Sequence, residues 1–206
     1  MKFQKEFNVL VIPGFWNNAI FNNAWVSKFL LPQKTLNVEI PINGNGSMRI
    51  STENFRLFTI ENRLVITLIN PTTEAFEEIG NLIFKIAEYL PHTPVSSYGF
   101  NFNFTSEKVE KLEKEFVEID EDNLEELKLQ LVKSQVTKNY KDEDGSDINI
   151  LIVKENDNKF DIQVNLHFNI TNLIDLVGKL ETPQKVESYK YKSVEILRNL
   201  YNIELD

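Results

Sequence analysis

Two runs of this chain alternate so strictly that each must present one chemistry to either side. In Tyr98-Gly99-Phe100-Asn101-Phe102-Asn103-Phe104 the aromatic rings share one parity and Gly99, Asn101 and Asn103 the other. Over residues 160–170 one parity is Phe160, Ile162, Val164, Leu166, Phe168 and Ile170, and the other is Asp161, Gln163, Asn165, His167 and Asn169. Successive side chains of a strand point to opposite faces, so each run predicts a strand with an apolar side and an amide side. Amides are poor strand formers, and each offers both a donor and an acceptor. Asn101, Asn103, Gln163, Asn165, His167 and Asn169 are therefore candidate binding residues on a polar, nearly uncharged surface suited to a peptide, a nucleobase or a partner subunit. The competing reading is a solvated face in a chain rich in Asn. A second candidate is the segment 15–31, where Phe15, Trp16, Phe21 and Trp25 interleave with Asn17, Asn18, Asn22 and Asn23. Large aromatics concentrate in interface cores, which makes Trp16 and Trp25 candidate contacts. Packing of this segment over a sheet is its competing reading.

Groups that could do covalent or acid–base chemistry are sparse. The chain has no Cys, which excludes a thiolate nucleophile, a disulfide framework, a thiolate zinc site and an iron–sulfur cluster. A zinc hydrolase needs about three N/O ligands, usually with two His close on one element. His92 lies in a Pro-flanked turn and His167 on a strand 75 residues later. The run Asp142-Glu143-Asp144-Gly145-Ser146-Asp147 resembles a calcium loop, yet aligning Gly145 with the loop glycine puts Tyr140 and Leu151 at two key ligand positions, so a hairpin turn is expected. Asn43-Gly44-Asn45-Gly46-Ser47 is glycine-rich but lies between strands and lacks the Lys-Ser/Thr and following helix of a phosphate loop. Serine-elbow, HExxH and dinucleotide fingerprints are absent. Carboxylate pairs such as Glu118/Asp120 and Asp120/Asp122 would need burial and a raised pKa to act as acid and base, which no feature of the sequence indicates. No catalytic residue, metal ligand or cofactor is assigned.

The charge balance narrows the partners. The 206 residues carry 22 Lys and Arg against 31 Asp and Glu, a net charge of -9. This argues against nonspecific nucleic-acid binding, which depends on Lys and Arg neutralising phosphates. Ten acidic residues and three Lys fall between Ser106 and Glu126, leaving the rest of the chain close to neutral. Lys185, Lys190, Lys192 and Arg198 near the C-terminus are interspersed with Glu187 and Glu195, the pattern of a solvated helix face. Near the N-terminus, Lys2 and Lys5 precede an apolar run over 9–12 that stops at Pro13-Gly14, too short for a signal-peptide core. No run approaches the ~18 apolar residues of a membrane span. The expectation is a cytoplasmic protein without a membrane partner, a description that also suits a protein of a mobile element.

The elements that must position the candidates follow from period and punctuation. A strand is expected over 7–12 and a short helix over 24–31 capped by Asn23. Short runs at 37–42, 48–51, 55–60 and 63–69, separated by turn signals, read as an antiparallel meander. Asn70 as N-cap and Pro71 at the first helical position open a helix whose apolar stripe is Ala75, Phe76, Ile79, Leu82, Ile83, Ile86, Ala87 and Leu90. The acidic stretch reads as helical through Val109, Leu112, Phe116 and Ile119, and period leaves 124–131 open between helix and strand. A second meander is expected over 136–141, 148–154 and 160–170, turning at Asp144-Gly145 and Asn156-Asp157-Asn158. Thr171 is a candidate cap for a short helix, and a last helix opens at Thr182-Pro183 with Val186, Tyr189, Val194, Leu197 and Leu200 or Tyr201 inward.

Two stretches carry a resemblance: Trp16-Asn17-Asn18-Ala19-Ile20-Phe21 with Trp25-Val26 nearby, and Leu90-Pro91-His92-Thr93-Pro94-Val95 running into Gly99-Phe100-Asn101-Phe102. Together they resemble a family of uncharacterised bacterial proteins with a WNxAI segment near the start and an LPxTPVxxxGxNFxF segment after a central helix. The resemblance covers roughly the first half of the chain and implies a bacterial or mobile-element origin, with no activity attached. The expected fold class is α+β, a largely antiparallel meander sheet or sheets with helices on one side, in which a βββα pseudo-repeat is an option. One domain over 1–206 is preferred, with tandem subdomains 1–119 and 120–206 as the alternative. The expected function is non-catalytic protein binding or assembly, through a protein partner or self-association, with no small molecule. A carboxylate-dependent enzyme, with or without Mg²⁺, is the alternative.

Overall fold

Strict alternation becomes strands, and the strands join one antiparallel sheet. The computed structural model describes residues 1–32, 34–41, 47–107, 109–116, 128, 131–155 and 159–205. Its strands are β1 (Lys2–Phe3), β2 (Phe7–Pro13), β3 (Asn37–Glu39), β4 (Arg49–Ser51), β5 (Phe55–Ile60), β6 (Arg63–Leu68), β7 (Ser97–Ser106), β8 (Lys133–Lys141), β9 (Asp147–Glu155) and β10 (Phe160–Asn169). Their order is β3-β4-β5-β6-β2-β7-β10-β9-β8, and β1 adds to β7 beside the end of β2. Leu10 of β2 faces Phe100 of β7, while Phe3 of β1 faces Phe104 further along the same strand. Both meanders of the sequence are thus present in one sheet, with β2 and β7 between them. The α+β expectation holds.

Parity decides which side is covered. The rings of Phe100, Phe102 and Phe104 and the apolar side of β10 are buried in one continuous core with the helices. In β2 a bulge between Asn8 and Leu10 lets Phe7, Val9, Leu10 and Ile12 all turn inward, leaving Asn8 and Val11 on the other side. The helical layer comprises α1 (Asn23–Trp25) running into a π-helical turn (Val26–Leu30), then α2 (Thr73–Tyr89), α3 (Glu110–Glu113), α4 (Leu173–Leu180) and α5 (Lys185–Tyr201). The expected stripe of α2 is buried from Ala75 to Ala87. On α5, Val186, Tyr189, Val194, Leu197 and Tyr201 are buried and Leu200 is exposed.

The helix starts differ from the expectation by a residue or two. Thr72, not Asn70, caps α2: its hydroxyl accepts from the Ala75 amide at 3.2 Å, while Asn70 donates to the Glu53 carbonyl at 2.8 Å. Asn22 caps α1 through the Trp25 amide. Asn172 caps α4 through the Asp175 amide, and Thr171 instead donates its N–H and hydroxyl to the Asp175 carboxylate, closing a reciprocal box. In each case two residues within two positions of each other are competent caps; at α2 the tertiary bond to Glu53 engages Asn70, while at α4 local bonds to Asp175 engage Thr171. The turns expected at 43–46 and 156–158, the carboxylate pairs at 118–122 and the segment 117–127 lie outside the described residues.

Candidate functional site

Antiparallel register brings the amides of separate strands into one line. Asn139 faces Asn149, Asn149 faces Asn165, and Asn165 faces Asn101. Beyond Asn101 the line continues through Asn8, Thr67, Arg56 and Ser51 to Asn37. One polar residue from each of nine strands therefore forms a belt across the sheet, on the side away from the core. Asn149 Nδ2 donates to Asn165 Oδ1 at 2.9 Å, Asn165 Nδ2 donates to Asn101 Oδ1 at 2.9 Å, and Asn101 Nδ2 donates to the Asn8 carbonyl at 2.9 Å. Thr67 Oγ1 donates to Asn8 Oδ1 at 2.8 Å, and Arg56 Nε donates to Ser51 Oγ at 3.2 Å.

The bonds inside the belt leave hydrogen-bonding capacity unused. A carboxamide has two N–H donors and two lone pairs, and the ladder takes one donor each from Asn149, Asn165 and Asn101. The belt thus repeats donors and acceptors at the ~4.8 Å spacing of strands. Gly99 makes room for it. A Cβ at that position would come within 2.8 Å of Asn165 Nδ2 and 3.9 Å of His167 Nδ1. A side chain there would push the Asn165 carboxamide out of line.

The remaining sheet candidates flank the belt. His167 sits half-buried between Gly99 and Asp147, and Asn103 faces Gln163. Asn103 Oδ1 is shielded and has no hydrogen-bond partner among the described residues. Asn169, exposed at the end of β10, lines an open cleft of about 630 Å³ with Thr171, Ile174 and Asp175. The aromatic candidates lie apart from this face. Trp16 is buried and donates its indole N–H to the Ile12 carbonyl at 2.8 Å, which makes it part of the core. Trp25 is half-buried in a chain of rings with Phe21, Phe29 and Tyr89, while Phe15 is 77% exposed. Period separated strand faces well. It did not reveal Asn8, Asn139 and Asn149 as members of the same line.

Acid–base chemistry finds little support in the geometry. The calcium-like run is the hairpin turn expected, with Gly145 at φ +81° and its amide donating to the Asp142 carbonyl. Lys192 of α5 reaches over to both Asp142 and Asp144, pinning this turn to the helical layer. Burial raises the Asp144 carboxyl, but bonds from Ser146 and Lys192 more than offset that and bring it down to about 2. Burial lowers Lys192, but Asp142 and Asp144 hold it above the ordinary lysine value, so it serves as a cation and not as a base. Tyr98 is fully buried, and burial together with Tyr189 pushes its hydroxyl well above the ordinary tyrosine value.

A larger cleft of about 710 Å³ between β3, β4 and β5 contains Glu39, Arg49, Phe58 and Glu61. Glu39 there is 54% exposed and shared between Arg49 at 3.8 Å and Arg56 at 3.6 Å, the setting of a surface ion pair. Among the described residues no three His, Asp or Glu side chains gather as metal ligands, and no helix is long and apolar enough to cross a membrane. His92 is exposed in its turn. The three lysines of the last helix are engaged within the fold: Lys192 holds Asp142 and Asp144, Lys190 lies 5.2–5.3 Å from the rings of Phe3, Phe76 and Tyr191, and Lys185 lies over Tyr189. No family model matches the chain, and no curated protein or solved structure matches it.

Proposed function

We propose that this chain is a non-catalytic binding or assembly protein of the cytoplasm, and that the open face of its sheet receives a partner protein. The observation that supports this reading is the amide belt. Five asparagines from five successive strands line up on the side the helices leave uncovered, and each of the three central ones keeps donors or acceptors free for an outside surface. Neutral amides suit a flat partner: they supply hydrogen bonds without the desolvation cost of charges. The half-buried Trp25, with Phe29 and Tyr89, forms a second and smaller contact at the edge of the helical layer.

Photo-crosslinking inside cells that make the protein tests this. A benzophenone amino acid placed at Gln163 or Asn103 should give a defined adduct with one partner, while the same group at Glu195 on α5 should not. Asn165→Ala combined with His167→Ala should weaken the identified complex by about tenfold or more while the fold persists, equivalent to about 1.4 kcal/mol. Equal adducts from both faces, or an unchanged complex, would remove the open face from the proposal.

A further inference from the structure

The two ends of the sheet are unequal. At one end β3 has three residues, and at the other β8 has nine. Among the described residues no strand pairs with the outer side of β8, so its outward N–H and C=O groups form a template for another strand. Large apolar side chains are exposed at both ends of that template. Val132, just before β8, is 69% exposed, and Tyr140 near its end is 37% exposed. They share the parity of Val136, the side on which the helices lie, since Val136 and Tyr140 face the buried Ile152 and Ile148 of β9.

We infer that β8 pairs antiparallel with β8 of a second copy about a two-fold axis at Val136, joining two sheets into one. The spacing selects both the occupant and the register. With Val136 on the axis, Val132 faces Tyr140 of the second copy, and Val136 faces its own equivalent. Ser134 then faces Lys138, Gln135 faces Thr137, Lys133 faces Asn139, and Leu131 faces Lys141. Val132 and Tyr140, the exposed apolar groups on the helix side, cover one another, Leu131 on the open side meets the aliphatic stem of Lys141, and no lysine stands opposite a lysine. Moving the axis to Thr137 would set Lys133 against Lys141 twice, and moving it to Lys138 would set that lysine against itself, both unfavourable cross-strand pairs. Moving it to Gln135 would leave Tyr140 unpaired and put Val132 against Lys138. Within each copy Lys138 is already neutralised by Glu115 and Lys141 by Asp147, so the strand carries less free charge than its three lysines suggest. Eleven paired residues give roughly ten inter-strand hydrogen bonds, typical of a stable protein interface. In this register Asn139, the edge residue of the amide belt, faces Lys133 of the second copy, so the belts of the two copies are offset along the joined sheet.

This inference stands apart from the open-face reading, because it concerns the isolated protein and an edge, not a face. Native mass spectrometry and sedimentation of the full chain should show a dimer at about 100 µM and below, an ordinary affinity range for such an interface. Val136→Lys should raise the dimer dissociation constant at least about 100-fold by placing two ammonium groups on the axis. Asn37→Lys on the opposite edge should leave it unchanged, and circular dichroism would confirm that both variants fold. The chain has no Cys, so single Leu131→Cys and Lys141→Cys variants each accept one spin label per copy. Each lies five residues from the axis, so both should report a separation near 34 Å at about 3.4 Å per residue. A monomer at all concentrations, or a dimer indifferent to Val136→Lys, would overturn the proposal. Unequal label distances would overturn the register.

Discussion

Asn165 faces Asn101 and can bridge it to Asn149 because the diagonal position on β7 is Gly99, which leaves the space its carboxamide occupies. Gly99→Ala should therefore act on the belt and not on the core. We expect a loss of about 1 kcal/mol, the ordinary worth of one hydrogen bond. The loss should largely vanish when Gly99→Ala is made in an Asn165→Ala background, a coupling that urea unfolding of the four proteins would measure. Equal losses in both backgrounds would mean that Gly99 serves the backbone alone. A second residue-scale consequence concerns acid. The Asp144 carboxyl titrates at about 2 in the folded chain against an ordinary 3.8, so the folded state binds its proton more weakly than the unfolded state does. Its stabilisation is complete above about pH 4 and is lost as the pH falls toward about 2. Because Asp144 is 42% exposed, solvent screening limits the effect to about 1 kcal/mol or less. Asp144→Asn should flatten the stability–pH curve across that window and leave its shape above it unchanged.

Elements were more legible than their ends or their partners. Each of the two alternations is a strand, and the expected α2 stripe is buried, because a period of two or of 3.6 is set by backbone geometry and survives any packing. The caps differ from the expectation because Asn70, Asn23 and Thr171 each lie within two residues of an equally competent cap, Thr72, Asn22 and Asn172. Thr72→Ala should accordingly cost about 1 kcal/mol, and Asn70→Ala clearly less, since Asn70 holds an exposed carbonyl and no helix amide. Reversal of that order in thermal unfolding would return the cap to Asn70. Part of the belt was also within reach of the sequence. Asn139 and Asn149 are equidistant from Asp144, and Asn149 and Asn165 are equidistant from Asp157, so the two turn signals in the sequence alone imply that these three amides align, as the register shows they do. No turn connects Asn165 to Asn101 or Asn101 to Asn8, and those neighbours follow only from strand order. Helix packing likewise hides the role of Gly80 in α2. A Cβ there would lie 2.2 Å from the Pro183 carbonyl oxygen and 2.6 Å from its Cα, in the connection between α4 and α5. Backbone cannot yield as a side-chain tip can, so Gly80→Ala should cost about 2–3 kcal/mol by overpacking, more than Gly99→Ala.

At the scale of the whole molecule, the question is whether residues 1–119 and 120–206 unfold together. The sheet joins them by its longest seam, β7 of the first segment against all ten residues of β10. The helices repeat the junction: Thr73 Oγ1 donates to Glu187 at 2.7 Å, Gln184 Nε2 donates to Glu77 at 2.7 Å, and Gly80 lies against Pro183. The terminal amine of Met1 donates to the Glu204 carbonyl at 2.8 Å. Separating the segments would expose the rings of Phe100, Phe102 and Phe104 and both faces of the seam, so neither segment retains a complete core alone. We therefore expect one cooperative transition. The chain supplies its own probes, since both tryptophans, Trp16 and Trp25, belong to the first segment and the second has none. Tryptophan fluorescence then reports the first segment only, while far-ultraviolet circular dichroism reports strands and helices from both. In a single cooperative unit the two signals must follow the same denaturant midpoint and slope. If fluorescence changes at a different midpoint from circular dichroism, the segments unfold separately and the molecule is a tandem pair sharing a seam. Coincident curves would mean that the belt, the buried rings beneath it and the helices above them form or fail together.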